Sequence, residues 1–202
     1  MIIRAIKQNL LEGLSHVMRA ISGKNTNPIF SCIHLIAKDG KLTMITTDNE
    51  IRIETKIPVA IEAEGETVIF AKNFYDLVRR LPDVPITMSS VSKDGKDKTT
   101  ITYNDAEVVM HGFPGQNFPG MEEIKAEPSF QISAAAFHKL IKHTSFTVSP
   151  DAVRDIFRGL FFHLKGHELH VVGTDSYRLT ILDEKVDNLL GEDKEAIIPI
   201  RA

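Results

Sequence analysis

The sequence predicts an α+β protein built from a repeated unit, each copy setting amphipathic helices against antiparallel strands. Three observations carry this. Ile29-Phe30, Leu42 and Thr47-Asp48 recur as Ile156-Phe157, Leu169 and Thr174-Asp175, each 127 residues later without a gap. A fixed internal period marks a duplicated unit and sets its size, here that of one ordinary domain. Three stretches then carry apolar residues at helical spacing, each with one stripe to bury. Short apolar runs, finally, are separated by pairs such as Asp39-Gly40 and Lys165-Gly166, which suit tight turns between antiparallel strands.

Taken in order, the first helix is expected over about 7–24, with Leu10, Leu11, Leu14, Val17, Met18 and Ile21 as its stripe and Gly23 as its stop. Strands follow at 28–37 and 41–47 around the Asp39-Gly40 turn, then at 50–56, 58–63 and 68–70. A second helix, 72–82, has Phe74, Leu77, Val78 and Leu81 on one face and ends at Pro82. Asn9-Leu10, Leu14 and Val17 match Asn73-Phe74, Val78 and Leu81 at an offset of 64, which suggests that the unit is itself a doubled half-domain. Residues 84–91 and 99–111 read as a hairpin joined by a polar, mobile loop over 92–98. The Pro- and Gly-rich run 113–121 falls at the period boundary and cannot be regular structure. The third helix, 133–147, carries Phe137, Leu140, Ile141 and Thr144, and three short strands fill 159–183. The middle one ends in Thr174-Asp175-Ser176-Tyr177-Arg178, polar residues where a buried strand would continue. The expected domains are 1–122 and 129–202 with a linker at 123–128. The second is incomplete, because 196–202 parallels 68–73, which leads into a helix in the first copy. The chain is therefore expected to be a piece of a longer protein.

Composition is that of a soluble globular protein, 43% apolar and 25% charged. No run of about 18 apolar residues offers a membrane span, and the start lacks a signal-peptide layout. The single cysteine, Cys32, excludes an internal disulfide framework and suits a reducing, cytoplasmic setting. Net charge is −3, yet the helical stretches hold Lys7, Arg19, Lys24, Lys72, Arg79, Arg80, Lys139 and Lys142 against only Glu12 and Asp76. If the helices share a face, one side of the molecule is positive and the other negative.

Catalytic signatures are absent. No Walker loop, GxGxxG or GxSxG occurs, and His167-Glu168-Leu169-His170 misses the HExxH spacing, so neither metal nor cofactor is expected.

The segment Thr26-Asn-Pro-Ile29, Phe118-Pro119, Val153-Arg154 and Gly173-Thr-Asp-Ser-Tyr-Arg-Leu179, with the 127-residue repeat, resembles the bacterial sliding clamps, the beta subunits of DNA polymerase III. The resemblance covers the whole chain. It implies a DNA clamp fold used three times per subunit, two subunits pairing head to tail into a ring with helices lining the hole. The implied function is a non-catalytic processivity factor that encircles double-stranded DNA and tethers the polymerase III catalytic subunit, the clamp loader and other clamp-binding proteins. By the same resemblance, Lys24, Arg154, Arg201, Arg79 and Arg80 are implied DNA contacts. Phe157, Thr174, Ser176, Tyr177, Arg178 and Leu179 form the implied partner-peptide pocket. Tyr75, Val108 and Met110 mark the implied dimer interface. Tyr177 stands where many members carry histidine, and Asp155-Ile156 follows Arg154 where they carry Pro-Ile. With half the family's repeats, the 202 residues alone are not expected to close a ring. An alternative is a clamp-fold interaction protein that does not encircle DNA.

Overall fold

Strand β1 (Ile2–Ile6) runs directly into helix α1 (Lys7–Val17), whose Leu10, Leu14 and Val17 are fully buried. The computed structural model describes residues 1–21, 27–48, 51–120, 129–149 and 154–202, and the chain divides into two units, Met1–Met121 and Glu122–Ala202. The first unit continues with β2 (Cys32–Lys38), β3 (Lys41–Thr47), β4 (Arg52–Pro58), β5 (Ala60–Ala63), β6 (Gly65–Phe70), α2 (Ala71–Arg80), β7 (Pro85–Lys93), β8 (Lys96–Tyr103) and β9 (Ala106–Phe113). These strands form one antiparallel sheet in the order β4-β3-β2-β6-β9-β8-β7-β1-β5.

The half-domain repeat is visible in this order. Each half is a strand, a helix and a three-stranded meander, and each lends its first strand to the other: β6 pairs with β2, and β1 with β7. The two helices start 64 residues apart, as the sequence suggested, but β2 and β7 start only 53 apart. The offset is lost because the connection after α1 is long and that after α2 is short. Both helices bury their stripes on one face of the sheet, where Phe74 and Val78 join Leu10, Leu14, Leu35, Met44, Ile69 and Ile86 in one core. Lys7 Nζ also donates to the Leu81 carbonyl at 2.5 Å, tying the start of α1 to the chain just past α2.

Several expectations are corrected. Residues 28–31 are not strand but a 3-10 turn, started by Pro28 and capped by Asn27 Oδ1, which accepts from Ile29 N at 3.1 Å. The loop placed at 92–98 is strand on both sides of a tight turn, with Ser92 opposite Asp97. Asp94 and Gly95 take φ of 51° and 72°, the pairing already foreseen at Asp39-Gly40, which gives 51° and 69°. The run 99–111 is two strands, because Asn104 at φ 46° turns the chain between β8 and β9. Helix α1 proper stops at Val17 and tightens into a 3-10 turn over Met18–Ala20. Gly23 and Lys24 lie outside the described residues.

On the sheet face away from the helices, Cys32, Ile45 and Val68 are covered by Phe118, which follows β9. Burial pushes the Cys32 thiol up to about 11. His34 lies under the Phe118 ring, centroids 5.1 Å apart, with its Nε2 2.8 Å from Glu66 Oε2. Burial lowers the His34 pKa, outweighing the opposing pull of Glu66, while Arg52 adds to the lowering. The unfolded chain therefore binds this proton more readily than the fold does, so stability rises with pH through this window. The contribution is complete above the ordinary value of 6.5 and declines as pH falls below it. Urea midpoints of the first unit should drop from pH 7 to pH 5, and His34→Gln should flatten that dependence. An unchanged slope in the variant would remove His34 as its source.

The second unit contains β10 (Phe130–Gln131), α3 (Ala134–Thr144), β11 (Gly159–Lys165), β12 (Glu168–Thr174), β13 (Leu179–Lys185), β14 (Asp187–Asn188) and β15 (Lys194–Pro199). Helices α1 and α3 start and end 127 residues apart, and so do β2 and β11, β3 and β12, and β4 and β13. Two extra residues enter before β15, where Pro199 opposite Gly159 takes the place of Phe70 opposite Cys32. Ser133 Oγ caps α3 by accepting from Ala136 N at 3.2 Å. Leu140 packs against Leu160, Phe162, Leu164, Leu169 and Val171, a core separate from that of the first unit.

Candidate functional site

The polar stretch between β12 and β13 is a built turn. Asp175 Oδ1 accepts from the backbone N–H of Tyr177 and of Arg178, both at 3.0 Å, and Oδ2 accepts from Arg178 Nε at 2.9 Å. The Arg178 N–H is the foremost cause holding the Asp175 carboxyl below the usual carboxylate range. Thr174 Oγ1 donates to the Arg178 carbonyl at 2.8 Å and accepts from Ser176 N at 3.2 Å. Ser176 sits at φ 80°, and the next residue, Tyr177, is 98% exposed. The equivalent turn in the first unit uses the same device, with Asp48 Oδ1 accepting from Ile51 N at 2.9 Å. What differs is the cargo: Arg178 is exposed where Ile51 is buried, and the exposed residue after it is the apolar Leu179 where the first unit has Arg52.

Arg178 is not a free anchor. Besides its bond to Asp175, its guanidinium donates to the Phe146 carbonyl at 3.0 Å and lies 5.8 Å over the Phe146 ring. Phe146 is thereby joined to the turn, a residue the sequence reading missed. The signal was available: Phe146 falls off the Phe137, Leu140, Ile141, Thr144 stripe, so it is an aromatic with no core position to fill. Phe157 is half-buried on the neighbouring 3-10 turn, where its carbonyl accepts from Ser149 N at 3.1 Å and its N–H donates to the Arg154 carbonyl. Beneath the turn, Gly173 allows close approach. A Cβ there would lie 2.5 Å from both Thr144 O and Thr147 Oγ1.

The cations are unequal. Arg154 and Arg201 are exposed, and Lys24 lies outside the described residues. Arg79 and Arg80 close the exposed end of α2, where the helix dipole also favours them, and Arg79 lies 3.4 Å from Asp76. Lys7 and Lys139 are engaged, by the Leu81 carbonyl and by Glu184 at 3.7 Å. Arg19, Lys72 and Lys142 are exposed.

The edge named for pairing is open. β9 meets β6 only at Phe113 and Gly112, so Ala106–His111 pairs on one side alone. A groove of about 310 Å³ runs there, lined by Phe70, Asn73, Leu77, Val108, Met110 and His111. Tyr75, like Leu77 and Met110, packs against the core of the first unit. An uncovered edge of this kind is a template for another strand.

His163 and His170 are cross-strand neighbours with ring centroids 5.7 Å apart, each facing an acid: Asp183 at 2.7 Å from His170 and Glu195 at 3.6 Å from His163. Among the described residues no group of three or more His, Cys, Asp or Glu is arranged to hold a metal, and no helix is long and apolar enough to cross a membrane.

A helix set against an antiparallel sheet, repeated 127 residues later from α1–β4 to α3–β13, defines the clamp class of helix-on-sheet repeat proteins. Comparison with known proteins makes the assignment specific. The chain belongs to the DNA polymerase III beta subunit family: residues 1–122 match its N-terminal domain and 131–202 its central domain. The beta sliding clamp of Rickettsia bellii is 31% identical over 185 residues, 90% of this chain and 48% of that protein. The DNA polymerase sliding clamp structure from Bacillus subtilis superposes with a TM-score of 0.91 at 28% identity, covering 100% of this chain and 54% of that one. The Helicobacter pylori beta clamp bound to a DNA ligase peptide gives 0.86 at 25% identity, covering 100% and 56%. The chain spans about half the length of the curated relatives it matches.

Proposed function

We propose that this chain acts as part of a sliding clamp, a non-catalytic DNA polymerase processivity factor. Its domains are 1–122 and 129–202, joined by 123–128, and its setting is the cytoplasm. The clamp encircles duplex DNA without reading sequence and tethers the polymerase III catalytic subunit, the clamp loader and other replication and repair proteins. Phosphates spaced about every 1.7 Å attract basic helices whatever the bases are. Arg154, Arg201, Arg79, Arg80 and Lys24 are the proposed contacts. The open β9 edge at Val108 and Met110, with Tyr75 nearby, is the proposed head-to-tail contact.

The observation that carries the reading is the Thr174–Leu179 turn. A fixed backbone holds Tyr177 and Leu179 out to solvent beside Phe146, while Phe157 lies on the neighbouring 3-10 turn. That is the chemistry of a rim with hydrogen bonds and an apolar floor, suited to a short peptide with a leading polar residue and trailing Leu or Phe. The Helicobacter pylori clamp was solved with a peptide bound, which supports the same use here.

A labelled peptide of that pattern, titrated by fluorescence anisotropy, tests it. Leu179→Ala and Tyr177→Ala should each weaken binding about tenfold, or ~1.4 kcal/mol, and Lys142→Ala should leave it unchanged. If Lys142→Ala abolished binding and Leu179→Ala did not, the site would move to the helix face.

A further inference from the structure

Histidines that miss a helical metal spacing along the sequence meet across strands in the fold. Asp183, His170, His163 and Glu195 stand directly opposite one another in a single row over β13, β12, β11 and β15. The row reads acid, imidazole, imidazole, acid. Directly opposed residues of an antiparallel pair put their side chains on one face, with Cβ atoms about 4.5–5.5 Å apart. Both imidazoles therefore project together from the two central strands of the four-stranded sheet, with ring centroids 5.7 Å apart. The first unit does not repeat this row. At the same four positions it carries Lys56, Thr43, Ile36 and Glu66.

The hydrogen bonding leaves ring nitrogens available. Asp183 Oδ1 lies 2.7 Å from His170 Nδ1. A carboxylate can only accept, so in the neutral ring the proton is on Nδ1 and the lone pair on Nε2. That Nε2 lies 4.0 Å from Glu168 Oε2, beyond hydrogen-bond distance. His163 Nε2 is likewise too far from Glu195 Oε1, at 3.6 Å, and its ring stands beside Phe161 with centroids 6.1 Å apart. An imidazole whose second nitrogen is held by a carboxylate is the usual form of a metal-ligating histidine, because the acid fixes the tautomer and raises the basicity of the ligating nitrogen. A tetrahedral ion about 2.1 Å from one nitrogen of each ring sets the ring centroids roughly 5–5.5 Å apart, close to the separation already present. The two side chains are 27% and 26% exposed, so an ion can enter from solvent and water can complete its coordination.

We propose that His163 and His170 form a two-imidazole chelate for a divalent transition ion of the zinc class, with Asp183 as the positioning carboxylate. Imidazole donors select zinc, nickel or copper, whereas magnesium and calcium take oxygen ligands. Glu168 and Glu195 lie at the margin and favour a dication. An ion held only by the folded sheet stabilises the second unit by mass action. The inference is independent of the peptide site at Tyr177, and its failure would leave that reading untouched.

The test titrates zinc into the full chain against a competing chromophoric indicator. One ion should bind per chain at micromolar zinc, and magnesium should not displace it. His163→Gln and His170→Gln should each weaken binding at least about tenfold, because the second ring no longer acts at a high effective concentration. The double variant should bind no more weakly than either single one, since losing one ring already breaks the chelate. Asp183→Ala should weaken binding about tenfold. In the unaltered chain, imidazole nitrogen-15 spectra should show zinc moving Nε2 of His170 while Nδ1 stays protonated. His167→Gln, at the exposed turn between the same strands, should bind as the unaltered chain does. Unaltered affinity in either single glutamine variant would overturn the proposal, as would an equal loss in His167→Gln. A further loss in the double variant would also overturn it, because the two rings would then be binding separate ions.

Discussion

Phe74→Ala should cost the first unit about 3–5 kcal/mol, a large part of the roughly 5–15 kcal/mol that holds a domain together. Phe74 heads the largest fully buried side chains, and it lies where α2 meets the core shared with α1 and the sheet. Its loss removes the burial of a whole ring. It also leaves a cavity between two helices and the sheet, which cannot collapse without disturbing strand pairs. The chain has no tryptophan and three tyrosines. Tyr75 and Tyr103 are partly buried against this core, whereas Tyr177 is exposed and should emit much the same folded or unfolded. Tyrosine fluorescence in urea therefore reports the first unit, and its midpoint should fall by about 2 M for a slope near 2 kcal/mol/M. Phe146→Ala, at an exposed ring, should shift stability by no more than about 0.5 kcal/mol. A loss below about 1 kcal/mol for Phe74→Ala would mean that α2 does not carry the core.

Much of this architecture was legible because a period constrains every residue at once. Matching Thr47-Asp48 to Thr174-Asp175 was enough to align two turns built on the same aspartate hydrogen bonds. The apolar stripes gave the helix faces for the same reason: Leu10, Leu14, Phe74 and Val78 have one core to enter. The failures cluster where polar residues do a core's work. Asp97, placed in a solvated loop from its neighbours, is buried and accepts from Thr67 Oγ1 at 2.6 Å, with Thr99 and Ser90 continuing the network. Its Oδ1 has no hydrogen-bond partner among the described residues. No hydropathy pattern marks such a position, because the pairing that makes burial tolerable joins residues about 30 apart in sequence. The candidate site was half legible. Its turn stood out as polar residues breaking a strand. The docking of Arg178 on Phe146, which fixes where the guanidinium points, depends on a fold contact 32 residues away.

Duplex DNA should bind this chain weakly and release it steeply with salt, falling roughly a hundredfold between 50 and 200 mM. The expectation follows from which cations are available. Lys7 is spent on the Leu81 carbonyl and Lys139 faces Glu184, so the surplus read from the sequence overstates the charge on offer. Arg19, Lys72, Arg80, Lys142 and Arg154 remain exposed, and Arg79 shares its charge with Asp76. About four phosphate contacts give a salt slope near −3.6, hence the hundredfold loss for a fourfold rise in salt. Because phosphate contacts carry no sequence information, two unrelated duplexes should bind alike. Arg79→Ala with Arg80→Ala should lower the slope by between one and two, Arg80 contributing more. Lys7→Ala should leave it unchanged while loosening the link between α1 and α2. Salt-independent binding, or a strong preference for one duplex, would place the interaction elsewhere than on the phosphates and withdraw the helix arginines as contacts.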